Sequence, residues 1–257
     1  MSTNQDKQII LVTGATNGIG LDTVKYLVKA SASNHIIIGA RSVQRGEAVL
    51  RDISTTRPAG SLSVVQLDAD SDDSIAAAVT LLSADFPHLD VLINNAGICP
   101  EGPEDQWPTR EQLRATFETN VYGPTILTSQ LVPLLKKSTH PRIINVSSGM
   151  GSIAMMSDHN GAFVGAKYPG YRMSKSALNM LTAYQYYHLK SEGEGFKIWT
   201  YCPGYVVTDF GRDRKAREDM GLESSETSAQ GILEIVEGKR DGEVGAFIAR
   251  RGARYDW

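Results

Sequence analysis

The sequence predicts an α/β fold with a single doubly wound parallel sheet of about seven strands and helices on both faces. Short runs rich in β-branched residues alternate with longer amphipathic stretches along the chain. The first run, Ile9–Val12, is apolar at every position, which is typical of a strand buried on both faces of a parallel sheet. Strands that alternate with helices of about 10–15 residues need right-handed crossovers, and these crossovers place helices on both faces.

The apolar spacing locates each element in turn. Leu21, Val24 and Leu27 recur at helical spacing after the first strand, and the acidic start at Asp72 suits a helix dipole. Gly123-Pro124 is expected to bend the longest helix. The predicted strands are Ile9–Val12, His35–Ile38, Leu62–Leu67, Leu89–Ile93, Arg142–Val146, Lys197–Tyr201 and Val244–Ile248. The predicted helices are Leu21–Lys29, Val43–Ser54, Asp72–Phe86, Arg110–Leu135 and Tyr171–Leu189.

Two segments lack a regular apolar period, Gly149–Gly170 and Gly204–Ser225. Both follow strands, and open α/β sheets bind ligands beyond the carboxyl ends of their strands. They are therefore expected to form the walls of a substrate pocket. The charge run Gly211–Asp219 in the second segment is typical of a solvated loop or helix face.

Composition narrows the class of protein. The chain has 257 residues, of which 41% are hydrophobic and 21% charged, as in an ordinary globular protein. A net charge of −3 gives no electrostatic reason to bind nucleic acid or an anionic membrane. Cys99 and Cys202 have neither a disulfide pattern nor metal-ligand spacing. With no linker, repeat, signal peptide or long apolar run, we expect one cytoplasmic domain over residues 1–257, with a polar tail at 1–7 and no metal.

A glycine-rich segment, Thr13–Gly20, lies between the first predicted strand and the first helix. Glycines at Gly14, Gly18 and Gly20 let the backbone turn tightly and approach a pyrophosphate, whose charge the amides at the helix amino end would bind. The alternative is a glycine-rich turn without a ligand. A strand before the motif and a helix after it favour the dinucleotide interpretation.

Further motifs follow in a fixed order. They are Asp68 after the third strand, Asn94-Asn95-Ala96-Gly97 after the fourth, Asn120 in the long helix, Ser147-Ser148 after the fifth strand, Tyr171-x-x-x-Lys175, and Pro203-Gly204-Tyr205-Val206-Val207-Thr208 after the sixth. Together with Gly14-x-x-x-Gly18-x-Gly20, this series resembles the short-chain dehydrogenase/reductase family over about residues 8 to 250. The resemblance implies a Rossmann-type fold and an oxidoreductase.

Tyr171 and Lys175 share one face of a helix because they are four residues apart. A phenol is a poor acid or base at neutral pH unless a neighbouring ammonium stabilises the phenolate. The resemblance implies that Tyr171 donates a proton to the substrate oxygen, while Lys175 lowers the phenol pKa and binds the nicotinamide ribose. It also implies that Ser148 stabilises the developing oxyanion and that Asn120 holds a proton-relay water. Ser147 remains an alternative to Ser148.

The choice of cofactor depends on Arg41, which follows the second strand where an NAD-selective site usually has a carboxylate. A guanidinium suits the 2′-phosphate of NADP(H), and Arg45 follows one turn later. By resemblance, Asp68 contacts adenine, Asn94 lines the ribose side, and Val206 and Thr208 hold the carboxamide and pyrophosphate end. The expected cofactor-binding set is Gly14, Thr16, Asn17, Gly18, Ile19, Arg41, Asp68, Asn94, Tyr171, Lys175, Val206 and Thr208.

The long interval between Ser148 and Tyr171 resembles an insertion of carbonyl-reductase-like members. The inserted segment, around Met155–Pro169, should lie beside the substrate, and His159 within it is a candidate contact. The family forms homo-oligomers near this region, so the insertion weighs against the usual tetramer. The expected function is NADPH-dependent reduction of a small-molecule ketone or aldehyde, or oxidation of the secondary alcohol. Two alternatives remain, a biosynthetic enzyme that reduces an imine or guides a cyclisation, and a non-catalytic NADP-binding sensor.

Overall fold

The computed structural model describes residues 7–100, 107–158, 161, 165, 167–191, 195–210 and 214–257. Eight strands form one sheet: β1 Gln8–Thr13, β2 Asn34–Ala40, β3 Ser61–Gln66, β4 Val91–Asn94, β5 Arg142–Val146, β6 Lys197–Cys202, β7 Phe247–Ala249 and β8 Arg254–Tyr255. The strand order is β3-β2-β1-β4-β5-β6-β7-β8. All neighbours pair in parallel except β7 and β8, which pair antiparallel.

Helices connect the strands on both faces of the sheet. They are α1 Gly18–Ala30, α2 Val43–Thr55, α3 Asp72–Asp85, α4 Arg110–Phe117, α5 Gly123–Leu135, α6 Ile153–Ser157, α7 Pro169–Ser191, α8 Arg214–Asp219 and α9 Glu226–Val236. The doubly wound α/β architecture predicted from the sequence is therefore confirmed. The described residues contain no helix with both the length and the apolarity needed to cross a membrane.

Alternating side chains of the buried strands supply two core layers. In β1, Ile10 and Val12 face one cluster with α1, α2 and α9, while Ile9 and Leu11 face the other with α3, α5 and α7. All four side chains are fully buried. This packing explains why the strand is apolar at every position, since a helix layer covers each face.

Several boundaries differ from the sequence prediction. The seventh strand is Phe247–Ala249 instead of Val244–Ile248, and the two-residue β8 follows it. Helix α9 was not predicted, although Ala229, Ile232 and Ile235 in it have helical spacing and a parallel β6–β7 connection requires a crossover. The irregular segments also contain two short helices, α6 and α8.

The long predicted helix around Asn120 changes its hydrogen-bond pattern and continues. A π-helical turn, Glu118–Tyr122, separates α4 from α5, and the Gly123 amide donates to the Glu118 carbonyl. This turn ends directly before Gly123-Pro124, where the sequence predicts a bend. Such turns occur mostly as single insertions within α-helices and often at functional sites.

The carboxyl ends of β1 and β4 mark the switch point of the sheet. From β1 the chain proceeds outward to β2 and β3, and it then returns to β4 on the other side of β1. The two crossovers leave β1 and β4 in opposite directions along the sheet, which opens a crevice between them. The glycine-rich segment and the Asn94–Gly97 segment both lie at this point.

Candidate active site

The turn after β1 is shaped for close approach by a ligand. Gly14 and Gly18 have φ values of +61° and +49°, in the left-handed region that favours glycine. A Cβ at Gly14 would lie 2.9 Å from the Cα of Ala96, so a side chain there would collide with the neighbouring segment. Thr16 and Ile19 are half-buried beside this turn, while Asn17 is exposed.

The amino end of α1 leaves its first amides available to an anion. Asn17 is the N-cap residue, yet its side chain makes no capping hydrogen bond, and the first turn of α1 contains no acidic residue. The first amides of a helix lack intrahelical acceptors, and the helix dipole favours negative charge there. The turn thus fits a pyrophosphate.

Thr13 and Asn95 hold the glycine turn against the loop after β4. The Thr13 hydroxyl accepts hydrogen bonds from the amides of Asn95 and Ala96, at 3.0 and 2.9 Å. The Asn95 side-chain amide donates to the carbonyls of Thr13 and Gly14, at 2.9 and 3.3 Å. Both residues stand inside the motifs already recognised, but their positioning role was not predicted from the sequence.

The Asn94 side chain, expected to line the ribose side of the cleft, is bonded to a strand and a helix. Its Nδ2 donates to Thr128 Oγ1 at 3.0 Å and to Asn145 Oδ1 at 2.8 Å, and the residue is only 4% exposed. Its Oδ1 is buried and has no hydrogen-bond partner among the described residues. The ribose contact expected for Asn94 stays a prediction.

Tyr171 and Lys175 lie near the start of α7, on the helix face turned towards the sheet. Lys175 is 3% exposed, and its Nζ donates to the Val146 carbonyl at 2.9 Å. The same Nζ lies 5.6 Å from the centre of the half-buried Tyr171 ring. Burial lowers the pKa of Lys175 to about 8, because the charged form loses solvation.

The pKa of Tyr171 moves in the opposite direction from the sequence expectation. Burial raises the pKa of the phenol well above its usual value, and this effect outweighs the hydrogen bond from Ser148 and the positive charge of Arg217, which both lower it. Lys175 was expected to lower this pKa. Desolvation is the largest cause, because burial disfavours the charged phenolate.

The two serines after β5 have different surroundings. The Ser147 hydroxyl donates to Asn179 Oδ1 at 2.6 Å, and Ser147 is 2% exposed. Ser148 is half-buried, and its hydroxyl hydrogen-bonds Tyr171. Ser148 Oγ also accepts from the Met150 amide at 3.2 Å, which caps the 3₁₀ turn Gly149–Gly151. The structure thus brings Ser148, and not Ser147, next to the phenol.

Asn120 lies in the π-helical turn and links it to the loop after β4. Its Oδ1 accepts from the Ile98 amide at 2.8 Å, while its Nδ2 donates to the Ile98 carbonyl and to Ser174 Oγ. These bonds occupy the side chain, so the expected water would have to bind the Asn120 carbonyl. Pro124 has no N–H to donate to that carbonyl, which therefore lacks its ordinary helical donor.

Arg41 and Asp68 lie on the adenine side of the switch point. Arg41 is exposed directly after β2, and within the described residues it makes no hydrogen bond or ion pair. Asp68 follows β3, and its carboxylate accepts from the Asp70 amide at 3.2 Å. A free guanidinium at the end of β2 is compatible with a phosphate on the ribose.

Val206 and Thr208 lie in the segment after β6, which extends to the glycine turn. A Cβ at Gly18 would lie 3.3 Å from Thr208 Cγ2, so these two motifs meet. Arg217 of α8 donates from Nη1 to the Val206 carbonyl at 3.0 Å and to Thr208 Oγ1 at 2.8 Å. Arg217 belongs to the charge run predicted to be solvated, but it is only 9% exposed.

The pocket walls are described only in part. His159 and residues 211–213 lie outside the described residues, as does much of the segment around Met155–Pro169. The described part of the first wall contacts the carboxyl end of the chain. Ser152 Oγ donates to the Asp256 carbonyl at 2.6 Å, and the Ala154 amide donates to the Trp257 carbonyl at 3.0 Å.

Comparison with known proteins identifies the family. Residues 8–219 match the family model described as short chain dehydrogenase. The chain belongs to the short-chain dehydrogenase/reductase family. Short-chain dehydrogenase anuI of Penicillium roqueforti is 34% identical over 231 residues, which cover 88% of this chain and 87% of that protein. This chain is therefore an oxidoreductase, as the ordered motifs implied.

Solved structures of carbonyl reductases share the fold. NADPH-bound carbonyl reductase from chicken fatty liver is 29% identical, with a TM-score of 0.79 and coverage of 98% of this chain and 99% of that one. Carbonyl reductase Sniffer of D. melanogaster is 26% identical, with a TM-score of 0.81 and coverage of 98% and 99%. The similarity to carbonyl-reductase-like members expected from the insertion is thereby confirmed.

Proposed function

We propose that this protein uses NADPH to reduce the carbonyl group of a small-molecule ketone or aldehyde, or to oxidise the corresponding secondary alcohol. The observation that carries the proposal is the group around Tyr171. A half-buried phenol is hydrogen-bonded to Ser148, with the Lys175 ammonium 5.6 Å from its ring centre. This arrangement suits an acid that protonates an oxygen in a shielded cleft.

Tyr171 acts as the general acid in the direction of reduction. A phenol with an ordinary pKa of about 10 is already protonated at neutral pH, so the proton is available as negative charge develops on the carbonyl oxygen. Ser148 donates a second hydrogen bond to that oxygen and stabilises the charge. A nicotinamide cofactor bound in the cleft would supply the hydride.

Lys175 supplies positive charge beneath the reacting oxygen. Its pKa of about 8 lies above neutral pH, so the ammonium is the main form there. A nearby cation favours the phenolate that Tyr171 becomes when it gives up its proton. A Cβ at Gly97 would lie 3.3 Å from Asn120 Oδ1 and 3.5 Å from Lys175 Nζ, so these side chains lie near each other. Their proximity supports a proton relay in which a water bound to the Asn120 carbonyl would pass a proton towards Lys175.

The preference for NADP(H) over NAD(H) is supported by Arg41. No carboxylate follows β2, whose last residues are Gly39 and Ala40, and the Arg41 guanidinium is free to bind a 2′-phosphate. The chicken carbonyl reductase, which has the same fold, is an NADPH-bound protein. Gly14, Thr16, Asn17, Gly18 and Ile19 would hold the pyrophosphate. Asp68 would contact adenine, and Val206 and Thr208 would contact the nicotinamide end.

A panel of ketones and aldehydes with NADPH tests this proposal. We expect turnover of at least one carbonyl compound, measured as NADPH consumption, and Tyr171→Phe should lower kcat about 10²–10⁴-fold because only the proton donor is removed. NADPH affinity, measured by fluorescence titration, should stay within about twofold in this variant. Tyr184→Phe, at an exposed tyrosine of the same helix, is the matched control and should match the wild type.

Two outcomes would contradict the proposal. If Tyr171→Phe turns over as fast as the wild type, Tyr171 is not the acid. If NADPH binds but no carbonyl, imine or alcohol in the panel reacts, the non-catalytic sensor is the better interpretation.

A further inference from the structure

Arg217 differs from the other charged residues of α8. Arg214 pairs with Asp209 and Glu218 in the open, and its side chain is 54% exposed. Lys215 and Asp219 form another exposed pair. Arg217 is 9% exposed, forms no ion pair with any residue that the structure describes, and its buried Nε has no hydrogen-bond partner there. Within the described residues its charge is met by the Tyr205 ring, whose centre lies 4.8 Å from Arg217 Cζ, and by two neutral acceptors instead of a carboxylate.

The bonds of Arg217 fix the direction in which Thr208 can donate. Thr208 Oγ1 accepts from Arg217 Nη1 at 2.8 Å and from the Phe210 amide at 3.3 Å. A hydroxyl oxygen has two lone pairs and one proton. Because both lone pairs are occupied, Thr208 can only donate to a further partner. Any further partner of this hydroxyl must therefore be an acceptor.

Thr208 also lies beside the glycine turn. The methyl group of Thr208 packs against Gly18, where a Cβ would lie 3.3 Å away. Gly18 begins α1, whose first amides have no capping side chain. Thr208 and the amino end of α1 therefore lie next to each other. The charge of Arg217 also lowers the pKa of Tyr171, which places it near the reactive end of the cleft.

We propose that Arg217 is a positioning residue for the pyrophosphate end of the nicotinamide cofactor. Its guanidinium holds the Thr208 hydroxyl as a donor to a pyrophosphate or carboxamide oxygen and adds positive charge behind it. This inference rests on the proposed binding of a nicotinamide cofactor, whereas Arg41 acts at the opposite, adenosine end. The alternative acceptor for the Thr208 hydroxyl is an oxygen of an acidic group on the substrate. The contact of Thr208 with Gly18 favours the pyrophosphate.

Binding measurements on the purified full-length protein test the inference without turnover. Arg217→Met keeps the bulk of the side chain and removes the charge. We expect it to weaken NADPH and NADH by the same factor, about ten- to hundredfold, because both contain the pyrophosphate. Affinity for 2′-AMP, which has the adenosine and 2′-phosphate but no pyrophosphate, should stay within about twofold. Arg217→Lys should lose less affinity than Arg217→Met. Arg214→Met, on the exposed side of α8, is the matched control and should leave all three affinities unchanged.

Thr208→Val separates positioning from a general effect on the loop. It keeps the shape of the side chain and should reproduce the same loss for NADPH and NADH. Adding Arg217→Met to Thr208→Val should cost less than Arg217→Met costs alone, since the two act through one hydrogen bond. Thermal unfolding without cofactor checks that each variant is folded.

Three results would overturn the inference. Equal loss of affinity for all three ligands would mean that Arg217 only supports the loop, and no loss for any ligand would remove its role. A raised KM for acidic carbonyl substrates with unchanged cofactor affinity would assign Arg217 to the substrate. Failure of the proposed function would be seen in the wild type itself. A wild type that prefers NADH, or that binds neither dinucleotide, contradicts the NADPH assignment whatever the Arg217 variants show.

Discussion

At the scale of single residues, burial decides the proton affinities in the cleft. Tyr171 and Lys175 both have pKa values displaced towards the neutral form, upward for the phenol and downward for the ammonium. Desolvation is the largest cause for each residue. The spacing of four residues that joins them in sequence therefore predicts their proximity but not the direction of the phenol shift.

Lys175→Met should change the pH dependence of stability. The unfolded chain holds the Lys175 proton up to about pH 10.5, while the folded protein releases it near pH 8. The unfolded state thus binds more protons in this window, and rising pH stabilises the wild type relative to the variant. Below pH 8 we expect the variant to have the higher free energy of unfolding, by about 2 kcal/mol after allowing for the lost bond to Val146.

Urea denaturation at pH 7, 8.5 and 10 measures this difference. The advantage of the variant should be largest at pH 7 and should shrink as the pH approaches 10. A constant difference between the two proteins at all three pH values would show that Lys175 keeps an ordinary pKa.

Arg41→Ala should change the cofactor preference and little else. Arg41 is exposed and has no partner in the described part of the chain, so its loss leaves no buried group unpaired. Losing a charge-assisted hydrogen bond should weaken NADPH about ten- to hundredfold. NADH should be affected less than about twofold, because it lacks the 2′-phosphate.

Titration with both cofactors tests this prediction. Arg51→Ala, at another exposed arginine of the same region in α2, is the control and should alter neither affinity. Equal loss of NADPH and NADH in Arg41→Ala would mean that the residue holds the loop instead of the phosphate. A compensating role of Arg45 would appear as a larger loss in the double variant.

At the scale of elements, a buried polar network sets the position of α7 over the sheet. Asn145 of β5 donates from Nδ2 to Thr182 Oγ1 and to Gln185 Oε1, both at 2.9 Å, and accepts from Asn94 of β4. Asn145 is completely buried. Tyr171 and Lys175 belong to α7, so this network helps to fix their position relative to β5.

Asn145→Val should lower the free energy of unfolding by about 3 kcal/mol. The variant removes three hydrogen bonds and leaves buried partners on β4 and α7 unsatisfied, and each such group costs about 1–3 kcal/mol. Chemical denaturation measures the loss. Ser129→Ala, whose hydroxyl donates only to the nearby Ile126 carbonyl at an exposed position, is the control. A change below about 0.5 kcal/mol in Asn145→Val would show that the network is not a structural anchor.

At the scale of the whole molecule, the carboxyl ends and the amino ends of the strands carry different groups of polar residues. The carboxyl ends of the strands carry the predicted site. The amino ends of β5 and β6 are joined by Arg142 and Lys197, which both pair with Asp241. Arg142 is 7% exposed and lies over the Trp199 ring at 5.5 Å. This ion pair network is remote from the chemistry and belongs to stability.

Asp241→Asn should destabilise the protein by about 2 kcal/mol at pH 7, between the values for exposed and buried pairs. The hydrogen bond from Arg142 is the main cause that holds the pKa of Asp241 below its usual 3.8. The carboxylate thus stabilises the fold above about pH 3.8, and this contribution is lost as pH falls through the lower folded pKa. The variant should therefore show a weaker decline of stability between about pH 4 and pH 2.

Thermal unfolding from pH 7 to pH 2 tests this prediction. Asp219→Asn is the matched control, because its pair with Lys215 is largely exposed and should contribute little. If Asp241→Asn and Asp219→Asn lose equal stability, the partly buried ion pairs of Asp241 contribute no more than an exposed pair.

Local pattern alone determined much of this protein. The alternation of apolar runs predicted the doubly wound sheet, and the order from Gly14 to Thr208 predicted the family. Helical spacing within α9 was also readable, whereas the two-residue β8 and the short helices α6 and α8 were not predicted. These features depend on periodicity and on motif spacing, which are properties of the chain itself.

Tertiary structure decided how individual side chains are used. The Asn94 side chain bonds Asn145 of the neighbouring strand, and Ser147 bonds Asn179 while Ser148 lies next to the phenol. Arg217 is buried against Val206 and Thr208. Tertiary structure also raised the pKa of the Tyr171 phenol, whereas the family resemblance had implied that Lys175 lowers it. Each outcome depends on which distant element covers a residue, because burial removes water and leaves only the neighbours brought by the fold to solvate a charge or complete a hydrogen bond.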